Sequence, residues 1–327
     1  MTRFSPLAAG ITVFSLLGIG AIAYSVTDSR PEQCVPYASE GKASSLVSAA
    51  SAEEGIPTSL TFPTPLLTKG TEISILEAGQ GYRAGEGAAV DFQVAAYLGS
   101  SGQLLTASSY VAEQPVRRLI STDIPDYFSQ ALSCAAAGDR LIITDTVQAI
   151  FGPIPEDEIV QNDSTAVLVI DVVNVYPAKA DGALQPLVDN APMIVQSPSG
   201  RHGVSVPMGQ APEELVVYTV KKGSGAELVE GDQVVTHFTG VVWETKQTFA
   251  SSFDQNLPLT LTLVNGSVEG ANGGVPQGVF DGLVGQTVGS QVAIVVPPAL
   301  GYPEGQQPAG VPEGATLIYV FDILGVQ

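Results

Sequence analysis

The run Phe280-Asp281-Gly282-Leu283-Val284-Gly285-Gln286-Thr287-Val288-Gly289-Ser290, followed by Val295-Val296-Pro297-Pro298-Ala299-Leu300-Gly301-Tyr302, decides the fold of the C-terminal part of the chain. A short amphipathic helix over 278–284 is stopped by Gly285 and Gly289. The apolar strand Gln291 to Val296 then enters a proline-rich loop that ends on Tyr302, and Thr316 to Leu324 reads as a closing strand. Working upstream, Leu215 to Val220 and Gln233 to Phe238 read as strands, and Gly240 to Phe249 as a turn or hairpin around Trp243. Leu259-Thr260-Leu261-Thr262-Leu263 alternates with period two, as a half-buried strand does. One antiparallel sheet wrapped over one short helix gives an α+β module.

A weaker copy of this layout lies upstream. Gly79-Gln80-Gly81 matches Gly223-Ser224-Gly225, Val90-Asp91-Phe92 matches Thr236-His237-Phe238, and Leu105-Thr106-Ala107-Ser108 matches Phe249-Ala250-Ser251-Ser252. Pro125, Leu132, Gly138 and Val169-Ile170-Asp171 answer Pro276, Leu283, Gly289 and Val320-Phe321-Asp322 at one constant offset. Collinear matches of this length predict a tandem duplication. The expected organisation is a flexible tail over 28–61, a first domain over 62–177, an extended linker over 178–211 and a second domain over 212–327. Within the linker, Met193-Ile194-Val195 is the one candidate strand.

A length of 327 residues has room for both domains, and 35 Gly, 23 Pro and 14% charged residues suit turn-rich β structure. A formal charge of -20 with only 13 scattered basic residues excludes a nucleic-acid partner, whose phosphates need clustered Lys and Arg. Met1-Thr2-Arg3 precedes an uncharged run from Phe4 to Thr27, in the basic, apolar, polar order of an export signal. Cleavage after Ala21-Ile22-Ala23 would release the chain; retention would leave an anchor close to the ~20 residues that span a bilayer. Either way the expected location is extracytoplasmic, secreted or anchored by residues about 4–27, with the membrane touched only there. Pro31-Glu32-Gln33 before Cys34 is no lipidation signal. Outside the cytoplasm the two cysteines, Cys34 and Cys134, are a candidate disulfide; the alternative is two separate thiols.

The order of helix, glycine turn, Pro-Tyr loop and closing strand resembles the FK506-binding-protein (FKBP) family of prolyl isomerases, well over 212–327 and weakly over 65–177. The resemblance implies two FKBP-like domains, each an antiparallel sheet wrapped over one short helix. It implies peptidyl-prolyl cis-trans isomerisation of proline-containing unfolded or exported polypeptides, with no cofactor and no metal. Rotating a planar amide crosses ~18–20 kcal/mol, and a dry apolar pocket favours the less polar twisted form without nucleophile or acid. The pocket positions carry over to Phe238, Phe249, Tyr302 and Tyr319 as catalytic residues, and to Leu259, Val275, Pro276 and Val279 as substrate-binding ones. Tyr302 is placed to donate its hydroxyl to a substrate carbonyl.

Three departures stand out. The family's Phe-Asp-Ser is Phe249-Ala250-Ser251, and its aromatic floor, commonly tryptophan, is Val279. Where a backbone N–H usually meets the substrate, an ungapped alignment puts Pro276, which has none, and a one-residue bulge puts Val275. In the first domain Phe92 is expected to hold its pocket position, Leu105 replaces the second phenylalanine, and Tyr127 with Phe128 refills the floor. A structural or substrate-holding role follows for that domain. His202 and His237 are far apart in the chain, and His237 is expected to face solvent or a loop. The competing reading is a non-catalytic proline-peptide-binding chaperone module on the cell surface; a third is an adhesive or spacing pair of β domains. The first two require Phe249, Tyr302 and Tyr319 to converge.

Overall fold

A short ladder of β1 (Ser48–Ala49) and β2 (Leu60–Thr61) leads into two antiparallel sheets with one strand order. The computed structural model describes residues 34–49, 60–111, 114–123, 125–155, 160–186, 188–267 and 274–327. The expected export segment lies outside them. The first sheet contains β3 (Glu72–Glu77), β4 (Ala89–Leu98), β5 (Leu104–Ala107), β6 (Val116–Leu119), β7 (Arg140–Thr146) and β8 (Thr165–Tyr176), ordered β3-β7-β8-β4-β5 with β6 also on β4. Helix α1 (Tyr127–Ala131), capped by the Asp126 carboxylate on Ser129 N–H, and helix α2 (Val147–Phe151) belong to it. After β9 (Ala183–Leu184), β10 (Met193–Gln196) and β11 (His202–Ser205), the second sheet is built from β12 (Val216–Lys222), β13 (Gln233–Val242), β14 (Thr248–Ser251), β15 (Leu259–Thr262), β16 (Gln291–Val296) and β17 (Leu317–Val326). Its order is β14-β13-β17-β16-β12-β9 with β15 also on β13, around helix α3 (Gln277–Leu283).

The sheets share their irregularities as well. Register shifts fall at Ile75/Glu77, Asp91/Phe92 and Ala96/Tyr97 in the first, and at Thr219/Lys221, Val235/Thr236 and Gly240/Val241 in the second. These landmarks correct one expected match. Val94 pairs with Ile170 as Phe238 pairs with Phe321, and both Val94 N–H and Phe238 N–H donate to a serine hydroxyl, of Ser108 and Ser252. Val94 therefore occupies the Phe238 position, and Phe92 sits two residues away. Side chains on a strand repeat every two residues, so a two-residue slip keeps every residue on its face and leaves no trace in the apolar pattern.

An open outer face is not what forms. The apolar runs of β4, β16 and β17 are nearly continuous and these strands are buried along almost their whole length, as is the first half of β8. Such runs need cover on both faces. On the first sheet that cover is the segment expected to be a flexible tail, with the first residues of the domain after it: Ala43, Val47 and Leu60, then Phe62 and Leu66, pack on Ala95, Tyr97, Ile142, Val167 and Val169. Glu72 accepts from Ala43 and Ser44 N–H at 2.7 and 2.9 Å, holding a 3₁₀ turn over Ser44–Leu46. Cys34 and Cys134 are joined, their Cα atoms 5.5 Å apart, so the tail is pinned at its start too. On the second sheet the cover is the expected extended linker. Strands β10 and β11 form a hairpin whose Ile194 and Val204, with Val206 and Ala211, pack against Val241, Trp243, Ala293, Val295, Ile318 and Val320. Strand β9 adds itself to the edge of β12. Full burial of a Val, Leu, Ile or Phe side chain contributes about 1.5–3 kcal/mol, and the shares of these buried and partly buried ones together order a segment that lacks periodicity of its own.

The two sheets meet along Ala89, Tyr176, Val235 and Leu324, all buried, within the compact unit Cys34–Gln327. The Tyr176 ring lies where a Cβ on Gly325 would be, so only glycine fits there. Arg117 covers that ring at 5.1 Å, grips the buried Asp91 with two bonds of 2.6 and 2.8 Å, and reaches Thr260 at 3.0 Å.

Candidate functional site

The inner face of the second sheet is an apolar cup. Val279 of α3 lies at its base with Tyr319 and Phe321, all buried, while Phe238, Phe249, Val275, Leu300 and Tyr302 pack around them half-exposed. Tyr319 is the hub: its ring stacks on Phe321 at 5.8 Å and meets Phe249 edge-on at 5.7 Å. Phe238 stacks on the far side of Phe321 at 6.0 Å. A Cβ at Gly240 would run into the Phe249 ring, so this glycine lets the wall fold over the strand. Phe249, Tyr302 and Tyr319 thus converge. Leu259, paired opposite Thr236, is half-buried, but Leu261 is the β15 residue that joins the cluster.

Tyr319 donates its hydroxyl to that of Tyr302 at 3.1 Å. Burial pushes the Tyr319 pKa well above the usual phenol range, and the neighbouring Tyr302 adds to this, so the group stays protonated. With one lone pair taken, the Tyr302 proton has no other acceptor among the described residues. Tyr302 also lines a cleft of about 190 Å³, together with the apolar Pro298, Val311, Pro312, Ala315 and Leu317 and the polar Glu304, Gln307 and Glu313. A hydroxyl donor at the rim of an apolar cup suits a carbonyl on a bound chain.

Neither backbone alternative supplies a second donor. Val275 N–H is spent on Val264 C=O at 2.9 Å, and Pro276 occupies the N-cap of α3, where its carbonyl accepts from Val279 and Phe280 at 2.9 and 3.0 Å. Ala250 lies opposite Gly240 and brings no charge to the wall. In the first domain the corresponding space is filled. Phe128 stacks on Phe92 at 5.7 Å, and Ile150 and Ile154 pack into the same cluster. Tyr127 turns its hydroxyl to Asp145 at 3.2 Å.

Sequence reasoning missed a polar cluster on the opposite face of the second sheet. His237 does not face solvent. It is buried, stacked on Phe253 at 4.2 Å and bonded through Nδ1 to Ser252 Oγ at 2.8 Å. Asp322, fully buried on β17, accepts from Gln291 and Gln196 side chains at 2.7 Å each, and His202 Nε2 lies 3.3 Å away, off the line of a hydrogen bond. Burial pushes the Asp322 pKa up, but His202, Gln291 and the Ala180 N–H outweigh it and hold it below the usual carboxylate value. Burial also lowers the His237 pKa to about 4, against the opposing pull of Asp322. The signal that could have found this cluster was the pair of acidic residues Asp171 and Asp322 inside otherwise apolar closing strands.

Comparisons with known proteins agree on the second domain. The family model described as FKBP-type peptidyl-prolyl cis-trans isomerase matches residues 225–324. A probable FK506-binding protein of Corynebacterium glutamicum is 35% identical over 123 residues, which are 37% of this chain and 94% of that protein. FK506-binding protein 2B of Rhizopus delemar is 35% identical over 122 residues, 36% of this chain and 55% of that protein. The peptidyl-prolyl cis-trans isomerase FKBP2 of Mus musculus is 34% identical over 98 residues, 30% of this chain and 64% of that protein.

Proposed function

Since this chain belongs to the FKBP-type peptidyl-prolyl cis-trans isomerase family and is an isomerase of proline-containing polypeptides, we propose that the second domain does the work, on unfolded or exported clients outside the cytoplasm. The first domain, by this reading a degenerate tandem copy, holds rather than turns its clients. The observation that carries the assignment is the convergence of Phe249, Tyr302 and Tyr319 on one cup, against a filled counterpart in the first domain. A proline ring seated on Val279 between the aromatic walls loses water, and the twisted amide, less polar than the planar one, gains relative to it. Tyr302 holds the substrate carbonyl while the C–N bond turns; no proton is transferred and no covalent bond breaks. The basic, apolar, polar order of residues 1–27 supports export, secreted or anchored.

A second reading, a holding module without catalysis, is favoured by one observation: neither Val275 nor Pro276 has a free N–H for the substrate. The full chain, tested on an Ala-Leu-Pro-Phe peptide by NMR exchange between isomers, separates the two. Acceleration that falls about tenfold in kcat/KM with Tyr302→Phe, equivalent to losing ~1.4 kcal/mol, supports the isomerase site. Peptide shifts without acceleration support the holding module, and neither effect sinks both.

A further inference from the structure

The upstream segment reaches the back of the pocket wall. Arg201, in the turn between β10 and β11, donates Nη2 to the carbonyl of Phe253 and Nη1 to Asp254 at 3.0 Å, with its guanidinium 6.0 Å from the Phe253 ring. Phe253 is buried between two histidines, edge-on to His202 at 5.0 Å and stacked on His237 at 4.2 Å. This turn, Ser252–Asp254, directly follows the strand that carries Phe249. Its first residue, Ser252, accepts from Phe238 N–H at 2.9 Å, and Phe253 N–H donates to Ser251 at 3.3 Å. Two walls of the cup, Phe238 and Phe249, are therefore tied to one turn, and Arg201 holds that turn from outside.

The first domain holds the corresponding turn through a side chain of its own sheet, although Tyr110 there also packs against the upstream cover of Ala43, Val47 and Leu66. There Gln93, at the position of His237, donates to Val111 C=O at 2.9 Å and accepts from Tyr110 N–H at 3.2 Å, so a side chain of the sheet itself fixes the turn. Among the described residues His237 makes no backbone contact of this kind; its bond goes to Ser252 Oγ. The Phe253 carbonyl is taken by Arg201 instead. The charges are divided in the same way. Asp171 is paired at 2.6 Å with Arg140 of its own sheet, whereas Asp322 has neutral Gln291 at that place and receives His202 and Gln196 from the hairpin. Lys221 then ties Gln196 and the Ala180 carbonyl at 2.7 and 2.8 Å, which anchors the turn end of the hairpin.

We infer that Arg201 is a positioning residue for the proline-peptide cup, and that the segment over 178–211 is a working part of the second domain. The inference rests on the reading of the cup as the site that seats the proline peptide, whether it turns that peptide or only holds it. Its test uses the full chain with Arg201→Ala, Arg201→Lys, Phe249→Leu and the double variant Arg201→Ala/Phe249→Leu. Values of kcat and KM are measured by NMR exchange on the Ala-Leu-Pro-Phe peptide. Arg201→Ala is expected to raise KM about three- to tenfold with kcat nearly unchanged, because the wall is displaced and not the Tyr302 donor. Arg201→Lys, which keeps a cationic donor for the Phe253 carbonyl, recovers part of that loss. The double variant is expected to be little worse than Phe249→Leu alone, since both substitutions act on one wall. An unchanged KM alongside a lower Tm, or two losses that simply multiply, would overturn the positioning role. A wild-type chain without acceleration sinks the isomerase site and not this inference; the same variants are then read by peptide shift titration, with the same three- to tenfold change expected in Kd. A wild-type chain that does not bind the peptide sinks both.

Discussion

Tyr319 carries a hydroxyl where packing alone would need only a ring. Its bond to Tyr302 fixes the hydroxyl proposed above as the substrate donor, so Tyr319→Phe keeps the stacking on Phe321 and Phe249 and loses only that restraint. The expected outcome is a two- to fivefold lower kcat, equivalent to ~0.5–1 kcal/mol, with little change in Tm, read by isomer exchange and thermal melting. On the other face, His237 is neutral in the fold with its pKa near 4, whereas an unfolded histidine protonates near 6.5. Its share of stability is therefore intact above pH 6.5 and is lost as pH falls toward 4, about 3 kcal/mol in all. Asp322, held below its usual pKa, loses its own share at still lower pH. Urea midpoints from pH 7 to 4 check this, and His237→Gln, the residue the first domain uses, should flatten the upper part of the curve. The pocket aromatics were legible because their order along the chain is unusual. The His202–Asp322 contact was not, since its partners lie 120 positions apart and meet only through a hairpin that has no sequence period of its own.

At the scale of elements, the helix, the Pro-Tyr loop and the strands could be placed from the sequence, because turns and period-two runs are local signals. The covers of the outer faces were misread. Residues 178–211 look like linker by composition, yet the information was present in their target: Gln291–Val296 and Leu317–Val326 are apolar on both faces, which demands a second layer. A polar substitution in the cover tests this. Ile194→Asp should destabilise the chain by about 2–3 kcal/mol by placing a charge against Trp243 and Ile318. Amides of β10 and β11 should exchange as slowly as those of β12; fast exchange would return the segment to the status of a loose connector.

For the molecule as a whole, the Cys34–Cys134 bond closes a loop of 100 residues, and replacing both by serine is expected to cost about 2–4 kcal/mol by urea unfolding while leaving peptide isomerisation near its original rate. The division of the chain into two sheets was legible from collinear motifs, but the two-residue slip at Phe92 was not, for the reason of strand parity. One feature reaches beyond the finished structure. Strand β17, which carries Tyr319, Phe321 and Asp322, enters last in chain order and lies in the middle of its sheet, between β13 and β16. Synthesis runs from the N-terminus, so a nascent chain already has everything its first sheet needs while the second still has an empty slot at its centre. Cover hairpin, walls and helix are all made before the strand they pack on. The aromatic cup therefore cannot close before β17 is made, since Tyr319 and Phe321 arrive with that strand.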